Sequence, residues 1–299
     1  MPIFASQLFT TTPPMPNPLN LLGLVSQSFT TKGKFFLLYR AIFFLLILSF
    51  TVASSHPAQA ETAETAPPAL KEALAQIDAA ANRRDASAVM EFYSDRFKNG
   101  DGLNRSMMEE ALKKFWSNYP QLTYRTELQS WQNEGNATIA ETITYITGTG
   151  SNNGMNGKLE ATMRSRQRYE GQKIVYSEIL AEASEIASGS NPPTVTVNLP
   201  EQVSVNQSYS FDAIVKEPLG DDMLLGTAIE EPITPERYTQ PSDFELELLS
   251  GGGLFKEGKA PEKKENLWIS GILIRADGTT TITRRLLVIN NSGSRRSSR

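Results

Sequence analysis

The sequence predicts two domains: an α+β cone, in which three helices pack on a curved antiparallel sheet, and a C-terminal all-β domain of the immunoglobulin-like sandwich kind. Apolar residues recur at helical spacing up to Tyr119, and after Pro120 they alternate with polar residues at a period of two. A Gly/Ser/Pro-rich linker at 188–193 then separates two stretches that each have an ordinary domain size. We therefore place the domains at 68–187 and 194–290.

The first domain is predicted to begin with helices. The first helix carries apolar residues spaced by three and four: Leu70, Ala73, Leu74, Ile77, Ala80 and Ala81. Asp85 caps a second, shorter helix with the apolar residues Ala88, Val89, Phe92 and Tyr93. After a turn at Lys98–Asn104, a third helix begins near Ser106 and ends at Pro120. Its apolar stripe is Met108, Leu112, Phe115, Trp116 and Tyr119.

The remainder of the first domain is predicted to be an antiparallel meander. Its strands are Leu122–Trp131, Ala137–Thr147, Lys158–Tyr169 and Lys173–Ala183. Glu170 and Gly171 form a tight turn, whereas Gly148–Gly157 is a long, flexible connection. Helices followed by a meander are typical of an α+β domain in which the helices cover one face of the sheet.

The second domain is predicted to contain strands alone. Its strands are Val195–Leu199, Tyr209–Val215, Met223–Ile229, Phe244–Leu248, Leu267–Arg275 and Thr280–Ile289. The last two flank Asp277-Gly278, which predicts a hairpin with a primed turn and a positive φ. Two long loops remain, 230–242 and 250–266. Leu254 and Phe255 in the second loop either form a docking tip or, in the interpretation we favour, pack back on the sheet.

The N-terminal part predicts export. Residues 32–60 combine a basic start, a short apolar run and the small-x-small triplet Ala58-Gln59-Ala60, so we expect cleavage between Ala60 and Glu61. The alternative is a retained membrane anchor at 35–53, although that run is short for a bilayer span. Residues 1–31 are a doubtful extension, which we interpret as a mis-assigned translation start, and 291–299 form a disordered basic tail. The expected destination is the periplasm or a lumen.

The amino-acid composition excludes several types of catalytic and metal site. Residues 1–60 hold 3 of the 29 basic residues and none of the 33 acidic ones, so the chain from Glu61 has 26 against 33, a net charge of −7. It also has no Cys, and the single histidine, His56, lies in the signal segment. These absences exclude His-based triads and His/Cys zinc sites, and we expect no metal and no cofactor. The acidic balance argues against a nucleic-acid partner.

One stretch carries a family resemblance. The run Ile77–Phe97 (IDAAANRRDASAVMEFYSDRF), followed by the helix Met108–Trp116, resembles the start of the nuclear transport factor 2-like superfamily, which includes SnoaL-like proteins. The resemblance covers about 68–187, in an exported bacterial protein, with an uncharacterised sandwich-like domain after it. It implies a cone with an internal pocket, and its members include isomerases, dehydratases, hydrolases and non-catalytic binding modules.

The resemblance transfers few catalytic residues. Isomerase-like members use a Tyr on the first helix, and residues 70–81 contain none. Their acidic base corresponds most closely to Asp95, here followed by Arg96, so Asp95 is a weak catalytic candidate whose alternative role is a solvated or paired carboxylate. The candidates for lining the pocket are Tyr93, Trp116, Tyr145 and Tyr169. Their alternative role is packing in the core.

Three arginines recur on one face of a predicted strand: Arg164, Arg166 and Arg168. They form either an anion-binding stripe or, in the interpretation we favour, a solvated face opposed by Glu178 and Glu182 on the next strand.

These observations favour an exported, non-catalytic module that binds an unknown small molecule or a protein partner, with a homodimer through the sheet as a further option. One alternative is a small-molecule isomerase or hydrolase that uses a pocket carboxylate and a Tyr. Another is an envelope structural protein held in the membrane by residues 35–53. A buried carboxylate beside a Tyr would favour the enzyme, and a closed apolar interior would favour the module.

Overall fold

The computed structural model describes residues 60–152, 155–220, 222–240, 242 and 245–290. Ala58, the proposed anchor at 35–53, the extension 1–31 and the tail 291–299 lie outside these residues. Of the predicted cleavage site, Ala60 is exposed and Glu61 begins the first strand. Within the described part of the chain, no helix is both long and apolar enough to cross a membrane.

The helices form close to the predicted positions. They are α1 (Pro68–Asn82), α2 (Ala86–Met90) and α3 (Arg105–Asn118). Asp85 caps α2, where its side chain accepts a hydrogen bond from the Ala88 amide at 3.0 Å. Asn104, rather than Ser106, caps α3 by accepting from the Met107 amide at 3.0 Å. Short 3-10 turns lie at Ala63–Thr65 and Pro235–Tyr238.

Strands account for most of the remaining chain. In order they are β1 (Glu61–Thr62), β2 (Tyr93–Asn99), β3 (Gln121–Glu134), β4 (Ala137–Asn152), β5 (Met155–Glu170), β6 (Lys173–Gly189), β7 (Val195–Asn198), β8 (Gln202–Ser204), β9 (Ser208–Val215), β10 (Leu225–Pro232), β11 (Glu247–Leu248), β12 (Gly253–Lys259), β13 (Leu267–Arg275) and β14 (Gly278–Ile289). The long connection predicted at 148–157 is mostly strand, since β4 and β5 pair from Ala137 with Glu170 to Asn152 with Met155.

One large sheet runs through both predicted domains. Its order is β1-β3-β4-β5-β6-β14-β13-β10-β11, and β2 and β8 add parallel pairs to β6 and β14, which gives eleven strands. Strand β6 pairs antiparallel with β14 from Ala183 opposite Arg284 to Gly189 opposite Gly278. A separate sheet contains β12, β9 and β7.

Helices cover the large sheet over its N-terminal half. Two apolar clusters fill the space between them, one around Met90, Trp116 and Tyr124 and the other around Leu74, Phe97 and Ile174. Phe97 and Ile174 are 1% and 0% exposed, which shows that this layer is closed to water.

The three-stranded sheet covers the large sheet over its C-terminal half. Phe211, Ile269, Leu273, Ile282 and Leu286 form the centre of that core, and each is at most 1% exposed. The two layers cover opposite faces. The register puts Ile186, which packs with the helix-side cluster, opposite Thr281, and successive residues of a strand point to opposite faces, so Ile282 lies on the other side.

The predicted fold class is therefore wrong. An α+β cone closed on itself would leave β6 as an edge, and an immunoglobulin-like sandwich would have two sheets of its own. Instead β6 continues into β14, so one sheet serves both halves, and the second layer of the sandwich has three strands. The alternation that predicts each strand carries no information about which strand becomes its neighbour.

The chain packs tightly against the β13–β14 turn where it leaves β6. Strand β6 runs through Gly189, two residues into the segment predicted as a linker. Gly189 has φ +98, and a Cβ there would lie 2.5 Å from the carbonyl oxygen of Asp277. Glycine is therefore required where the chain leaves the sheet beside the β13–β14 turn.

Three local expectations need correction. Tyr93 lies in strand β2, because α2 ends at Met90. The β13–β14 hairpin forms, but its two turn residues, Ala276 and Asp277, have no positive φ, so the turn is not the expected primed type. Gly278 instead begins β14, where a Cβ would lie 2.5 Å from Pro192.

The second long loop contains a strand that the sequence did not suggest, β12. Leu254 packs into the sandwich core as expected, whereas Phe255 is 65% exposed. Alternation along β12 explains the difference, since neighbouring side chains take opposite faces of the sheet. The strand predicted at 244–248 is limited to Glu247–Leu248 in the described residues.

Candidate functional site

The β6–β14 junction brings two arginines into contrasting surroundings. Arg284 and Arg285 are adjacent in β14, so their side chains leave opposite faces of the sheet. Arg285 lies on the helix-side face in a buried polar network. Arg284 lies on the sandwich-side face and lines an open cleft.

The network around Arg285 is closed to water. The Arg285 side chain is 0% exposed and that of Asp101 is 5% exposed. Arg285 Nη1 and Nη2 donate to Asp101 Oδ1 and Oδ2, each at 2.9 Å, which is the bidentate arrangement of a strong guanidinium–carboxylate pair. Arg285 Nη2 also donates to Glu182 Oε2 at 3.2 Å.

Two aromatic residues complete this network. The Tyr238 hydroxyl donates to Asp101 Oδ2 at 2.6 Å, and the Trp268 indole N–H donates to Glu182 Oε2 at 2.9 Å. The two rings meet edge to face, with centroids 4.9 Å apart. The network thus joins the loop after β2, strands β6, β13 and β14, and the 3-10 turn.

The loop after β2 is itself fixed by a side chain. Asn99 Oδ1 accepts from the amides of Asp101 at 3.1 Å and Leu103 at 2.7 Å. Gly102 has φ +90, which lets the chain turn back toward α3. The hydrogen bonds within the loop therefore position Asp101 independently of its contact with Arg285.

Electrostatics favour the charged pair. Burial lowers the pKa of Arg285, but the hydrogen bonds to Asp101 and the charges of Glu182 and Asp101 outweigh burial, so the pKa is raised. The pKa of Tyr238 is raised, first by burial and then by the charge of Asp101. Tyr238 consequently stays a neutral donor.

A buried carboxylate beside a Tyr is the arrangement that the enzyme alternative required. Here Arg285 occupies both oxygens of that carboxylate, and the pair has almost no exposed surface. A general base needs a free lone pair within reach of a substrate proton. We therefore interpret Asp101 and Tyr238 as a structural connection between the two halves.

The cleft on the opposite face has a volume of about 400 Å³. Small and apolar side chains form much of its wall, and charged residues stand around them. It is lined by Ile143, Thr162, Arg164, Ala181, Glu182, Ala183, Val197, Leu199, Pro200, Glu201, Arg284 and Arg285. The cleft therefore lies between β4–β6 and β14 on one side and the segment 197–201 on the other.

Arg284 has only carbonyl partners in the described part of the chain. Its Nη1 donates to the backbone oxygens of Ser184 at 2.9 Å and Thr283 at 3.0 Å. No carboxylate lies within 4.0 Å of its guanidinium among those residues. Burial lowers the pKa of Arg284, and the charge of Glu185 partly opposes that effect.

Arg164 enters the same cleft from β5. Its Nη2 lies 3.3 Å from Glu201 Oε2, and its Nε is buried without a hydrogen-bond partner. In the register, Arg164 is opposite Ala181 and Arg284 is opposite Ala183, so two alanines of β6 separate the arginines.

The other two arginines of the stripe are paired with carboxylates. Arg166 Nη2 lies 2.6 Å from Glu141 Oε1, and Arg168 Nη1 lies 3.1 Å from Glu134 Oε2. These partners belong to β3 and β4, on the side of β5 away from the expected Glu178 and Glu182. The predicted solvated face with opposing carboxylates therefore describes Arg166 and Arg168. Arg164 differs, because its Nε is buried without a hydrogen-bond partner.

Three of the predicted pocket aromatics, Tyr93, Trp116 and Tyr169, pack in the helix-side apolar clusters. Trp116 is buried, where its indole N–H donates to the Tyr124 hydroxyl at 2.8 Å. Tyr93 packs edge to face on Phe97, and burial raises the pKa of Tyr93 to about 12. The Tyr145 ring lies 4.3 Å from the Arg125 guanidinium.

The fourth candidate, Tyr169, borders a groove of about 360 Å³ between α1 and the β5–β6 turn. Its hydroxyl donates to Gln167 Oε1 at 2.6 Å. Asp95 lies on β2 with its side chain 98% exposed and 3.9 Å from Arg105 Nε, outside both cavities. No group of three or more metal-ligating side chains occurs among the described residues.

An apolar patch lies at the far edge of the large sheet. It comprises Met223, Leu225, Leu246 and Leu248, and we call it the edge patch. Met223 is 73% exposed and Leu248 is 63% exposed. Leu225 and Leu248 are directly opposite each other in the β10–β11 pair, and the outer side of β11 has no strand partner in the described part of the chain.

Sequence reasoning missed the main residues of the junction. Asp101 fell within the segment predicted as a turn, where an aspartate is ordinary. Arg284 and Arg285 offered a clearer signal. Two adjacent arginines inside an apolar strand must send at least one charge into a buried layer, which requires a partner.

Comparison with known proteins gives little identification. A family model described as "Domain of unknown function (DUF8623)" matches residues 190–289. No curated protein matches.

Several solved structures match about a third of the chain. One is an uncharacterized cystatin fold protein from Novosphingobium aromaticivorans, at 17% identity, covering 36% of this chain and 94% of that one, with a TM-score of 0.28. A loop truncation variant of IdmH matches at 16% identity, covering 36% and 89%, with a TM-score of 0.28. Bd1075 of Bdellovibrio bacteriovorus matches at 16% identity, covering 37% and 39%, with a TM-score of 0.27. Such TM-scores carry no argument about function.

These findings correct the family resemblance. The family model covers the C-terminal half under a description that names no function. The sheet formed by residues 68–187 does not close on itself but continues into β14, so the cone implied by the nuclear transport factor 2-like, SnoaL-like resemblance is wrong. The residues 190–289 match a family model described as a domain of unknown function.

Proposed function

We propose that the chain is an exported, non-catalytic protein-interaction module that binds an extended segment of another protein at the edge patch. The observation that carries this proposal is the patch itself. Exposed apolar side chains grouped at the open side of a sheet are typical of a binding surface, and an unpaired strand edge offers backbone donors and acceptors to an added strand.

The sequence at this edge specifies the partner. Residues 245–248 read Glu-Leu-Glu-Leu, and all four are exposed. An added strand would therefore meet leucines on one face and carboxylates on the other. The complementary partner is an extended segment in which apolar residues alternate with lysine or arginine.

A second copy of the chain fits less well. Two antiparallel copies of β11 place Glu opposite Glu in one set of registers and Leu opposite Glu in the other. Like charges directly opposite each other in a sheet are destabilising. The brevity of β11 also limits self-pairing.

Other features support a non-catalytic role. The two helix-side clusters are apolar and buried, and residues 61–299 contain neither His nor Cys. The buried Asp101–Tyr238 pair is occupied by Arg285. The remaining catalytic candidate, Asp95, is solvated on β2.

Peptide binding tests this function. A short synthetic peptide that alternates valine with lysine is titrated into the purified chain, and a peptide that alternates valine with glutamate is the matched control. We expect the lysine peptide to bind, more weakly as salt rises, and the glutamate peptide not to bind. Leu248→Asp should abolish that binding, because it places a charge in the patch.

A matched variant on another surface controls for folding. Met107 is exposed on α3, so Met107→Asp should leave peptide binding unchanged. Equal binding of the two peptides would refute the proposal. A concentration-dependent dimer that Leu248→Asp dissociates would identify a second copy as the occupant.

Export is a separate part of the proposal. N-terminal sequencing of the chain recovered from the cell envelope should give a start at Glu61, since the A-x-A motif ends at Ala60. Recovery of chain that retains residues 32–60 in the membrane fraction would instead support the anchored alternative.

A further inference from the structure

The junction cleft contains a positive charge, Arg284, that forms no salt bridge among the described residues, although the charge of Glu185 on the same face of β6 acts on it. Arg284 is half-buried and donates to two carbonyl oxygens, which solvate a guanidinium without neutralising it. A desolvated charge is costly unless it is paired with an opposite charge. Arg285, by contrast, is already neutralised by Asp101 and Glu182, so it adds little to the field in the cleft.

Arg164 provides a second incomplete cation. One end of its guanidinium reaches Glu201, while Nε is buried without a partner. Two strand spacings and a two-residue offset place the Cα atoms of Arg164 and Arg284 about 12 Å apart. Both side chains line the same cleft.

Part of the cleft wall is apolar. Ile143, Val197 and Leu199 line it, and its volume of about 400 Å³ falls in the range of small-molecule sites. Two cations in a cleft with an apolar wall match an amphipathic anion.

We propose that this cleft binds a small organic monocarboxylate, with its carboxylate between Arg284 and Arg164 and its apolar part against Ile143, Val197 and Leu199. The guanidinium fork matches carboxylate geometry. Glu201 at the rim already places one carboxylate beside Arg164. Its charge also disfavours a dianion such as a phosphate monoester. This site shares no residue with the edge patch and does not depend on the proposed function.

Calorimetric titration with octanoate tests the site, and octanol, a neutral probe of the same chain length, is the matched control. We expect octanoate to bind at least about tenfold more tightly than octanol, because a charge-assisted hydrogen bond contributes that much. Arg284→Gln should lower the octanoate affinity by about tenfold and leave octanol unchanged. Glu201→Gln should raise the octanoate affinity, since it removes a competing carboxylate from Arg164.

Arg166→Gln controls for surface charge, because Arg166 lies on the same strand outside the cleft and is paired with Glu141. It should leave octanoate binding unchanged. If circular dichroism shows that Arg284→Gln is unfolded, Arg164→Gln decides the matter, with the same expected loss. Absence of octanoate binding, equal binding of octanol, or unchanged binding in the folded Arg284 and Arg164 variants would each overturn the proposal.

Discussion

The two faces of the β6–β14 junction treat neighbouring arginines in different ways. On the helix side, Arg285 is fully buried and shares its donors between Asp101 and Glu182. On the sandwich side, Arg284 meets carbonyl oxygens and an open cleft. Burial alone therefore does not define the role of a cation. The charge paired with carboxylates connects the two halves, and the charge that meets carbonyl oxygens is the one we propose for a ligand.

Removal of Arg285 should cause the largest loss in the free energy of unfolding. Arg285→Met leaves Asp101 buried beside Tyr238 without its counter-ion, and breaking a buried pair in this way costs about 3–5 kcal/mol. Urea denaturation should show that loss in the free energy of unfolding.

The neighbouring position supplies the matched control for that experiment. Arg284→Met removes a cation that has carbonyl partners, so the expected loss is about 1 kcal/mol or less. Equal losses in the two variants would show that the faces do not differ as described.

Removal of the Tyr238 hydroxyl on the helix side should cause a smaller loss of stability. Tyr238→Phe removes the hydroxyl that donates to Asp101 at 2.6 Å but keeps the ring against Trp268. Because Arg285 still holds both oxygens, we expect a loss of about 2 kcal/mol in the free energy of unfolding.

The control for this change is an exposed tyrosine. Tyr176 is 39% exposed, so Tyr176→Phe should alter stability by about 0.5 kcal/mol at most. A Tyr238→Phe loss no larger than that of Tyr176→Phe would remove Tyr238 from the network.

The local structure was largely predictable, and its assembly was not. Period-two patterning predicts β3 to β6, and the spacing from Leu70 to Ala81 predicts α1, because these patterns follow from the geometry of each element. The pairing of Ala183 with Arg284 joins residues far apart in the chain, and nothing in either strand specifies the other. Strand β12 was missed because its glycines and lysines are typical of a loop.

The same limit applies to the candidate sites. A carboxylate at Asp101 and an arginine at Arg285 are each ordinary in their local sequence, and their contact depends on the register of the whole sheet. The aromatic candidates Tyr93 and Trp116 did occupy the interior, but packing accounts for them. The edge patch required knowledge of which strand ends the sheet.

The pairing of β6 with β14 also sets an order of events during synthesis. The segment of β6 from Ala183 to Gly189 is made long before its partner strand, so a nascent chain carries an open edge until β14 emerges. Asp101 and Glu182 likewise lack their counter-ion until Arg285 has been synthesised. The first half therefore cannot reach its final state on the ribosome ahead of the second, and truncation before β14 would release a chain with an exposed strand and two unneutralised carboxylates.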